Sequence, residues 1–236
     1  MNRPTPIRTV LFDLDGTLAD TAPDLAYALN RLLLEQGRDA LPFETIRPVV
    51  SHGGLALTRL GFGIEPEHPD FGPLRQRLLN LYRDNIARET RLFSGMAELL
   101  AEIEHNHMNW GVVTNKPAWL TEPLLDALGL SHRAACIVSG DTCRHRKPHP
   151  EPILHGCRLA GSEARHCVYI GDAQRDIEAG QRAGLRTVVA LFGYLGEHDH
   201  PEDWQADALL HSPGAIAAWI AGITAEITAD ESVNRV

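Results

Sequence analysis

Residues 7–18 read Ile7-Arg8-Thr9-Val10-Leu11-Phe12-Asp13-Leu14-Asp15-Gly16-Thr17-Leu18, and the fold turns on how this stretch is interpreted. The apolar run Val10-Leu11-Phe12 reaches Asp13 and then breaks at Asp15-Gly16-Thr17. A short apolar run closed by a glycine turn predicts a buried strand with a loop at its carboxyl end. Open α/β sheets place their ligands at that end. Two carboxylates spaced i and i+2 there repel each other unless a cation or a proton offsets them. The pair therefore points to a divalent metal held between Asp13 and Asp15, with one of them attacking a substrate. The alternative is two solvated turn aspartates, since Asp and Gly are ordinary turn residues.

Immediately downstream, Thr21 with Asp24 three residues later resembles a capping box, and Pro23 suits a first helical turn. Leu25, Ala28, Leu29 and Leu32 follow at i, i+3, i+4 and i+7, which predicts an amphipathic helix ending near Gly37. Residues 43–90 read as short helical pieces broken by Pro and Gly, with no alternating strand pattern. Residues 20–92 are thus expected to form a small all-helical insert.

From Phe93 onward the pattern changes. Strands are predicted at 110–114, 135–139, 167–171 and 187–191, with a short sixth at 206–210. Helices are predicted at 96–105, 118–128, 150–160, 173–182 and 213–223, and the last dozen residues are expected to fray. Strands apolar on both faces, alternating with helices, predict an α/β, Rossmann-like parallel sheet covered on each side. The expected organisation is a catalytic core of residues 1–19 and 93–236 with the helical cap 20–92 inserted after the first strand. Placed there, the insert lies over that strand's carboxyl end as a lid.

Composition narrows the function. With 236 residues, 44% hydrophobic and 22% charged, the chain can bury a good core and is not of the disordered class. A formal charge of −9 argues against nucleic acid or an anionic membrane as the main partner. Cys136, Cys143, Cys157 and Cys167 form no C-x-x-C pair and no zinc spacing, so they read as buried thiols of a reducing compartment. Asp13 and Asp15 interrupt the only early apolar run, and the late run Ala215–Thr224 is too short to span a bilayer, so a cytoplasmic protein is expected. The pairs His105/His107 and His198/His200 lack a third donor and read as surface pairs.

Three later strand ends carry polar groups of their own. The second strand ends in Thr114-Asn115-Lys116, a hydroxyl and an amide able to bond a phosphate oxygen. Lys147 lies in the Pro-stiffened loop Arg146-Lys147-Pro148-His149-Pro150, where it could act as a fixed cation. The fourth strand ends in Gly171-Asp172-Ala173-Gln174-Arg175-Asp176, where Asp172 can cap the following helix and Asp176 shares its face. If these strands are neighbours, four carboxylates converge with Lys147 and Thr114. A hard cation with oxygen ligands, Mg²⁺ for preference, would offset them.

These residues, in this order, resemble the haloacid dehalogenase (HAD) superfamily of phosphatases, whose four motifs are matched by Asp13-Leu14-Asp15-Gly16-Thr17, Thr114-Asn115, Lys147 and Gly171-Asp172-x-x-x-Asp176. The resemblance implies a Mg²⁺-dependent phosphomonoester hydrolase in which Asp13 becomes an aspartyl-phosphate. Asp15 would protonate the leaving oxygen and then activate water. Thr114, Asn115 and Lys147 would hold the phosphoryl group. Asp13, the Asp15 backbone carbonyl and Asp172 would bind the metal, with Asp176 supporting them. Relatives that cleave carbon–halogen or phosphonate bonds lack an acid at the Asp15 position. Sugar phosphomutases keep it and form one alternative, and a non-catalytic phospholigand sensor forms another. Asp20-Thr21-Ala22-Pro23-Asp24-Leu25 is similar to the 2-phosphoglycolate phosphatase group. Trp110–Pro117, Gly193-Tyr194 and Asp203-Trp204-x-Ala206-Asp207 are similar to one branch of that group, the bacterial N-acetylmuramic acid 6-phosphate phosphatases of cell-wall recycling. A small phosphorylated metabolite is the expected partner. Leaving-group selection is expected in the cap, at His52, Gly53 and Gly54 with Arg47 and Arg59 nearby, against the alternative of an ordinary interhelical loop.

Overall fold

In the computed structural model, which describes residues 5–233, the opening apolar run becomes strand β1 (Thr9–Phe12) inside a six-stranded sheet. A two-residue strand β2 (Ala19–Asp20) leads into helix α1 (Ala22–Glu35), the single turn α2 (Phe43–Ile46), a 3-10 segment Arg47–His52, α3 (Gly53–Phe62) and α4 (Phe71–Arg83). Strand β3 (Arg91–Leu92) returns antiparallel to β2. Strand and helix then alternate: α5 (Met96–His105), β4 (Asn109–Val113), α6 (Ala118–Ala127), β5 (Cys136–Val138), α7 (Glu151–Leu159), β6 (Cys167–Gly171), α8 (Gln174–Arg182), β7 (Arg186–Ala190), β8 (Ala208–Leu210) and α9 (Pro213–Val233).

The sheet order is β5-β4-β1-β6-β7-β8, and every neighbouring pair is parallel. Val10, Leu11 and Phe12 are fully buried, as are Val112, Val113 and Val168–Ile170 on the strands either side. Both faces of these strands are covered, which is why the sequence shows continuous apolar runs there and not alternation. The chain builds outward from β1 through β4 and β5, then returns to β1's other side for β6, β7 and β8. That reversal leaves the carboxyl ends of β1, β4 and β6 around one crevice, the position where open α/β sheets bind ligands.

The helical segment between β2 and β3 packs its own apolar core, with Leu25, Leu29, Leu32, Leu57, Leu78 and Tyr82 at its centre. The stripe expected on α1 is buried as predicted. Its start differs from the expected capping box, since Thr21 makes no cap bond to the helix. The Thr21 hydroxyl donates instead to Asp15 at 2.6 Å. Asp24, almost fully buried, accepts from the Glu89 and Thr90 backbone amides (3.0 and 2.9 Å) and the Thr90 hydroxyl (2.7 Å). Tertiary partners have taken both capping side chains, and Asp24 ties the last turn of the insert to its first helix.

The closing helix runs through Val233, ten residues past its expected end, because no Gly or Pro follows Gly222 to stop it. Of the last dozen residues, which are expected to fray, those up to Val233 continue this helix, and residues 234–236 lie outside the described residues. All four thiols are free, three of them buried and Cys143 partly so. His105, His107, His198 and His200 are exposed, and no described helix is long and apolar enough to cross a membrane.

Candidate active site

The β1 ladder continues one residue beyond the strand, where the Asp13 amide donates to the Ile170 carbonyl at 2.9 Å. This places the Asp13 carboxylate in the crevice between β4 and β6. Lys147, with no side-chain exposure, lies 2.9 Å from Asp13 Oδ1 and 2.8 Å from Asp176 Oδ1. Its ammonium donates to the Tyr169 hydroxyl at 2.6 Å, which in turn donates to the Val113 carbonyl at 2.6 Å. The backbone of Lys147 is clamped by Asn115, whose amide accepts from the Lys147 N–H and donates to its carbonyl, both at 3.0 Å. Asn115, expected to offer its amide to a phosphate oxygen, thus commits both ends of that amide to positioning the lysine.

Asp13, Asp172 and Asp176 are all buried, and one carboxylate oxygen from each lies within 4.8 Å of the others. Asp13 Oδ1 and Asp176 Oδ1 accept no aligned hydrogen bond; Lys147 meets them as ion pairs. Burial works to raise the Asp13 carboxyl, but Lys147 and Arg175 outweigh it and hold Asp13 below the usual carboxylate range. Burial, with Asp13 close by, leaves Asp176 raised despite the pull of Lys147 and Arg175. Burial together with Asp13 and Asp176 pushes Asp172 up to about 7. Three buried carboxylates facing one ammonium, with two oxygens lacking a directed donor, form a donor set that fits a hard divalent cation. Asp15 contributes no side-chain oxygen to this cluster.

Asp15 points elsewhere. Its Oδ1 accepts from the Thr21 hydroxyl at 2.6 Å and from the Lys116 ammonium at 2.8 Å. Lys116 also donates to the Tyr82 hydroxyl on α4 at 2.9 Å, with the ammonium 4.3 Å from the centre of that ring. Thr114, at the end of β4, accepts the Lys116 N–H at 3.2 Å and can still donate its own hydrogen. The two aspartates of the first loop thus have separate partners.

Asp172, expected to cap α8, does not do so. Ala173 occupies the cap position, and Asp176 accepts the Ala173 N–H at 3.1 Å. Asp172 instead accepts from the Ser51 hydroxyl at 2.6 Å and the Tyr194 amide at 2.9 Å. Gly16 (φ +84°) permits the close approach of the first loop, because a Cβ there would lie 2.1 Å from Asp172 Oδ2. The Ser51 bond brings the helical segment onto the sheet. Arg175 reinforces it by donating to the Ser51 carbonyl at 2.6 Å and lying 3.3 Å from His52 Nδ1. A second tie is Tyr194, which accepts from the Ala22 amide at 2.9 Å and donates to Asp20 at 2.7 Å.

Between helical segment and sheet lies a cavity of about 550 Å³. Asp13, Asp15, Thr114 and Asn115 line it from the strand ends, and His52, Gly53 and Gly54 from the helical side. Burial and Arg175 lower the His52 pKa, so its imidazole is neutral near pH 7. Arg47 and Arg59 do not line the cavity. Arg47 pairs with Asp20 at 2.8 Å and Arg59 with Glu65. Arg75, Arg146 and Arg175 line it instead, and no local pattern in the sequence marks Arg75, Ser51 or Tyr82 as facing the cavity. Lys116 carried a signal, sitting directly after Thr114-Asn115, but nothing in its neighbours announces Asp15 as its partner.

A parallel sheet with a helical insertion after the first strand, and acidic loops converging at the carboxyl ends of β1 and β6, defines a hydrolase of the haloacid dehalogenase type. The family described as haloacid dehalogenase-like hydrolase matches residues 10–190, and the chain belongs to it. Among individual relatives, it is 41% identical over 207 residues to the N-acetylmuramic acid 6-phosphate phosphatase of Pseudomonas putida, covering 88% of this chain and 93% of that one. It is 40% identical over 218 residues to the phosphoglycolate phosphatase of Xanthomonas campestris pv. campestris, covering 90% and 97%. The crystal structure of a predicted phosphoglycolate phosphatase from Haemophilus somnus superposes with a TM-score of 0.80 at 26% identity, covering 90% of this chain and 97% of that one.

Proposed function

We propose that the chain is a Mg²⁺-dependent phosphomonoester phosphatase that works through an aspartyl-phosphate on Asp13, with N-acetylmuramic acid 6-phosphate as its substrate. The observation that carries the reaction is the Asp13 carboxylate held ionised against Lys147 at the mouth of β1. The size of the cavity supports the substrate. About 550 Å³ lies in the range of roughly 300–1,000 Å³ that houses drug-sized ligands. A two-carbon acid such as 2-phosphoglycolate would leave much of it empty, whereas a phosphorylated amino sugar would not.

In this reading the Asp13 carboxylate attacks phosphorus, and the bond from phosphorus to the leaving oxygen breaks. Asp15 gives that oxygen a proton, then takes one from the water that attacks the phosphoryl group on Asp13. Water's oxygen leaves with the phosphate, and Asp13 is regenerated. Thr114 and Lys147 hold the phosphoryl oxygens, and Asn115 fixes Lys147. Asp13 and Asp172, with Asp176 beside them, would hold Mg²⁺, which when bound would withdraw charge from the phosphoryl group. That charge is needed, because a carboxylate 4 Å from one phosphate charge is repelled by about 4 kcal/mol at an effective dielectric of about 20. The helical segment 20–92 acts as the cap that selects the leaving group, and Ser51 closes it over the metal ligands.

The metal reading has a pH signature. A carboxyl whose folded pKa is raised makes the folded state bind protons more tightly than the unfolded one, so stability falls as pH rises between the two values. For Asp172 that window runs from 3.8 to about 7. Chelator-treated protein is expected to lose melting temperature across this window, and Asp172→Asn to flatten the loss. Mg²⁺, which needs the ionised carboxylates, is expected to raise the melting temperature more at pH 8 than at pH 5. Equal Mg²⁺ shifts at the two pH values would count against these ligands.

Phosphate release from N-acetylmuramic acid 6-phosphate, 2-phosphoglycolate and common sugar phosphates tests the substrate. The amino-sugar ester is expected to give the highest kcat/KM; higher turnover of 2-phosphoglycolate would move the assignment to that acid. His52→Ala should shift the ratio of kcat/KM between these two esters by about fivefold or more, since His52 lines the cap wall. An unchanged ratio removes His52 from substrate selection.

A further inference from the structure

We infer that Arg75 binds a carboxylate carried on the leaving group, and so restricts the enzyme to phosphate esters of acids. The inference rests on the phosphatase reading above, which puts the phosphoryl group at the strand ends and the leaving group against the helical segment that includes α4. On that helix Arg75, Leu79 and Tyr82 share one face at i, i+4 and i+7, and all three line the cavity. Arg75 Nε is buried with no hydrogen-bond partner, and its guanidinium forms no ion pair among the described residues.

The other cations of the cavity wall are engaged. Lys116 pairs with Asp15, Arg146 donates to the Gly140 carbonyl at 2.7 Å, and Arg175 donates to the Ser51 carbonyl. The other arginines of α4 are paired too, Arg77 with Glu35 and Arg83 with Asp84. Arg75 is the exception on both surfaces. A buried N–H without a partner is costly, and a ligand that accepts from it recovers that cost. The planar guanidinium fork matches a carboxylate edge-on through two parallel bonds. Trp119 and Leu55, both unusually exposed for their size, line the same cavity and offer apolar walls to the carbon frame that carries the acid.

The test compares N-acetylmuramic acid 6-phosphate with N-acetylglucosamine 6-phosphate, which lacks the carboxylate-bearing ether. Wild type is expected to favour the acid at least tenfold in kcat/KM. Arg75→Gln should collapse that ratio toward unity, and Arg75→Lys, which keeps the charge without the fork, should restore only part of it. Calorimetric binding of both esters to the Asp13→Asn protein, with and without Arg75→Gln, gives the same comparison without turnover. Turnover with no preference for the acid, or a preference that survives Arg75→Gln, overturns the carboxylate site while leaving the phosphatase reading intact. A binding preference erased by Arg75→Gln, together with wild-type protein that releases phosphate from neither ester, supports the carboxylate site and counts against the phosphatase reading.

Discussion

Asp13→Asn is expected to lower the rate of phosphate release by at least about a thousandfold while leaving the far-ultraviolet spectrum and the unfolding transition of a folded protein. Removal of a covalent nucleophile costs on that scale because the groups around it act as a unit with it. The amide keeps the shape of the carboxylate but cannot attack phosphorus. It also removes the one negative charge that Lys147 and Arg175 together hold ionised in the crevice. Substrate binding should survive, since Thr114 and Lys147 remain. Residual turnover above about a thousandth of wild type would count heavily against a covalent role for Asp13.

Lys147→Met is expected to act on folding as well as on turnover. The Lys147 ammonium has no exposure and stands between Asp13 and Asp176, with Asp172 close to both. Removing it leaves buried carboxylates facing one another, and breaking a buried ion pair in this way costs about 3–5 kcal/mol. Urea unfolding of chelated protein at pH 7.5 should show that loss. The deficit should shrink as the pH is lowered, because Asp172 and Asp176 already have raised pKa values and take up protons in place of the lost cation. Activity should fall with it on the proposed mechanism, in which Lys147 is the fixed cation for the phosphoryl group. A loss below about 1 kcal/mol, the scale of a surface pair, would mean that Lys147 is solvated and not the balancing charge of the site.

The parts of the fold that could be read from the sequence are those written in local pattern. The strands expected at 167–171 and 187–191, observed at Cys167–Gly171 and Arg186–Ala190, are mostly buried runs bounded by turns, and the stripe of Leu25, Ala28, Leu29 and Leu32 needs only helical periodicity. The convergence of Asp13, Lys147, Asp172 and Asp176 could be expected because each follows or precedes a strand of one parallel sheet. The two-residue strands β2 and β3 were invisible, being too short to carry a period. Capping chemistry misled at Thr21 and Asp172, because both side chains answer to partners distant in the fold: Asp15 for the first, Ser51 and Tyr194 for the second. Charge alone did not say which arginines face the cavity. Arg47 is taken up by Asp20 and Arg59 by Glu65, while Arg75 and Arg175 line the wall, and only the packing of α4 and α8 decides that.

The covalent step is the centre of the account, and it can be observed directly. A single turnover of N-acetylmuramic acid 6-phosphate with Mg²⁺ is quenched in acid within the first milliseconds to seconds, and the protein is digested and weighed peptide by peptide. One phosphoryl group should appear on the peptide containing Asp13, should be lost on treatment with hydroxylamine as an acyl phosphate is, and should be absent from the Asp13→Asn protein. Phosphate released at full rate with no acid-stable adduct on Asp13 at any time point, or with the adduct on another residue, would contradict it.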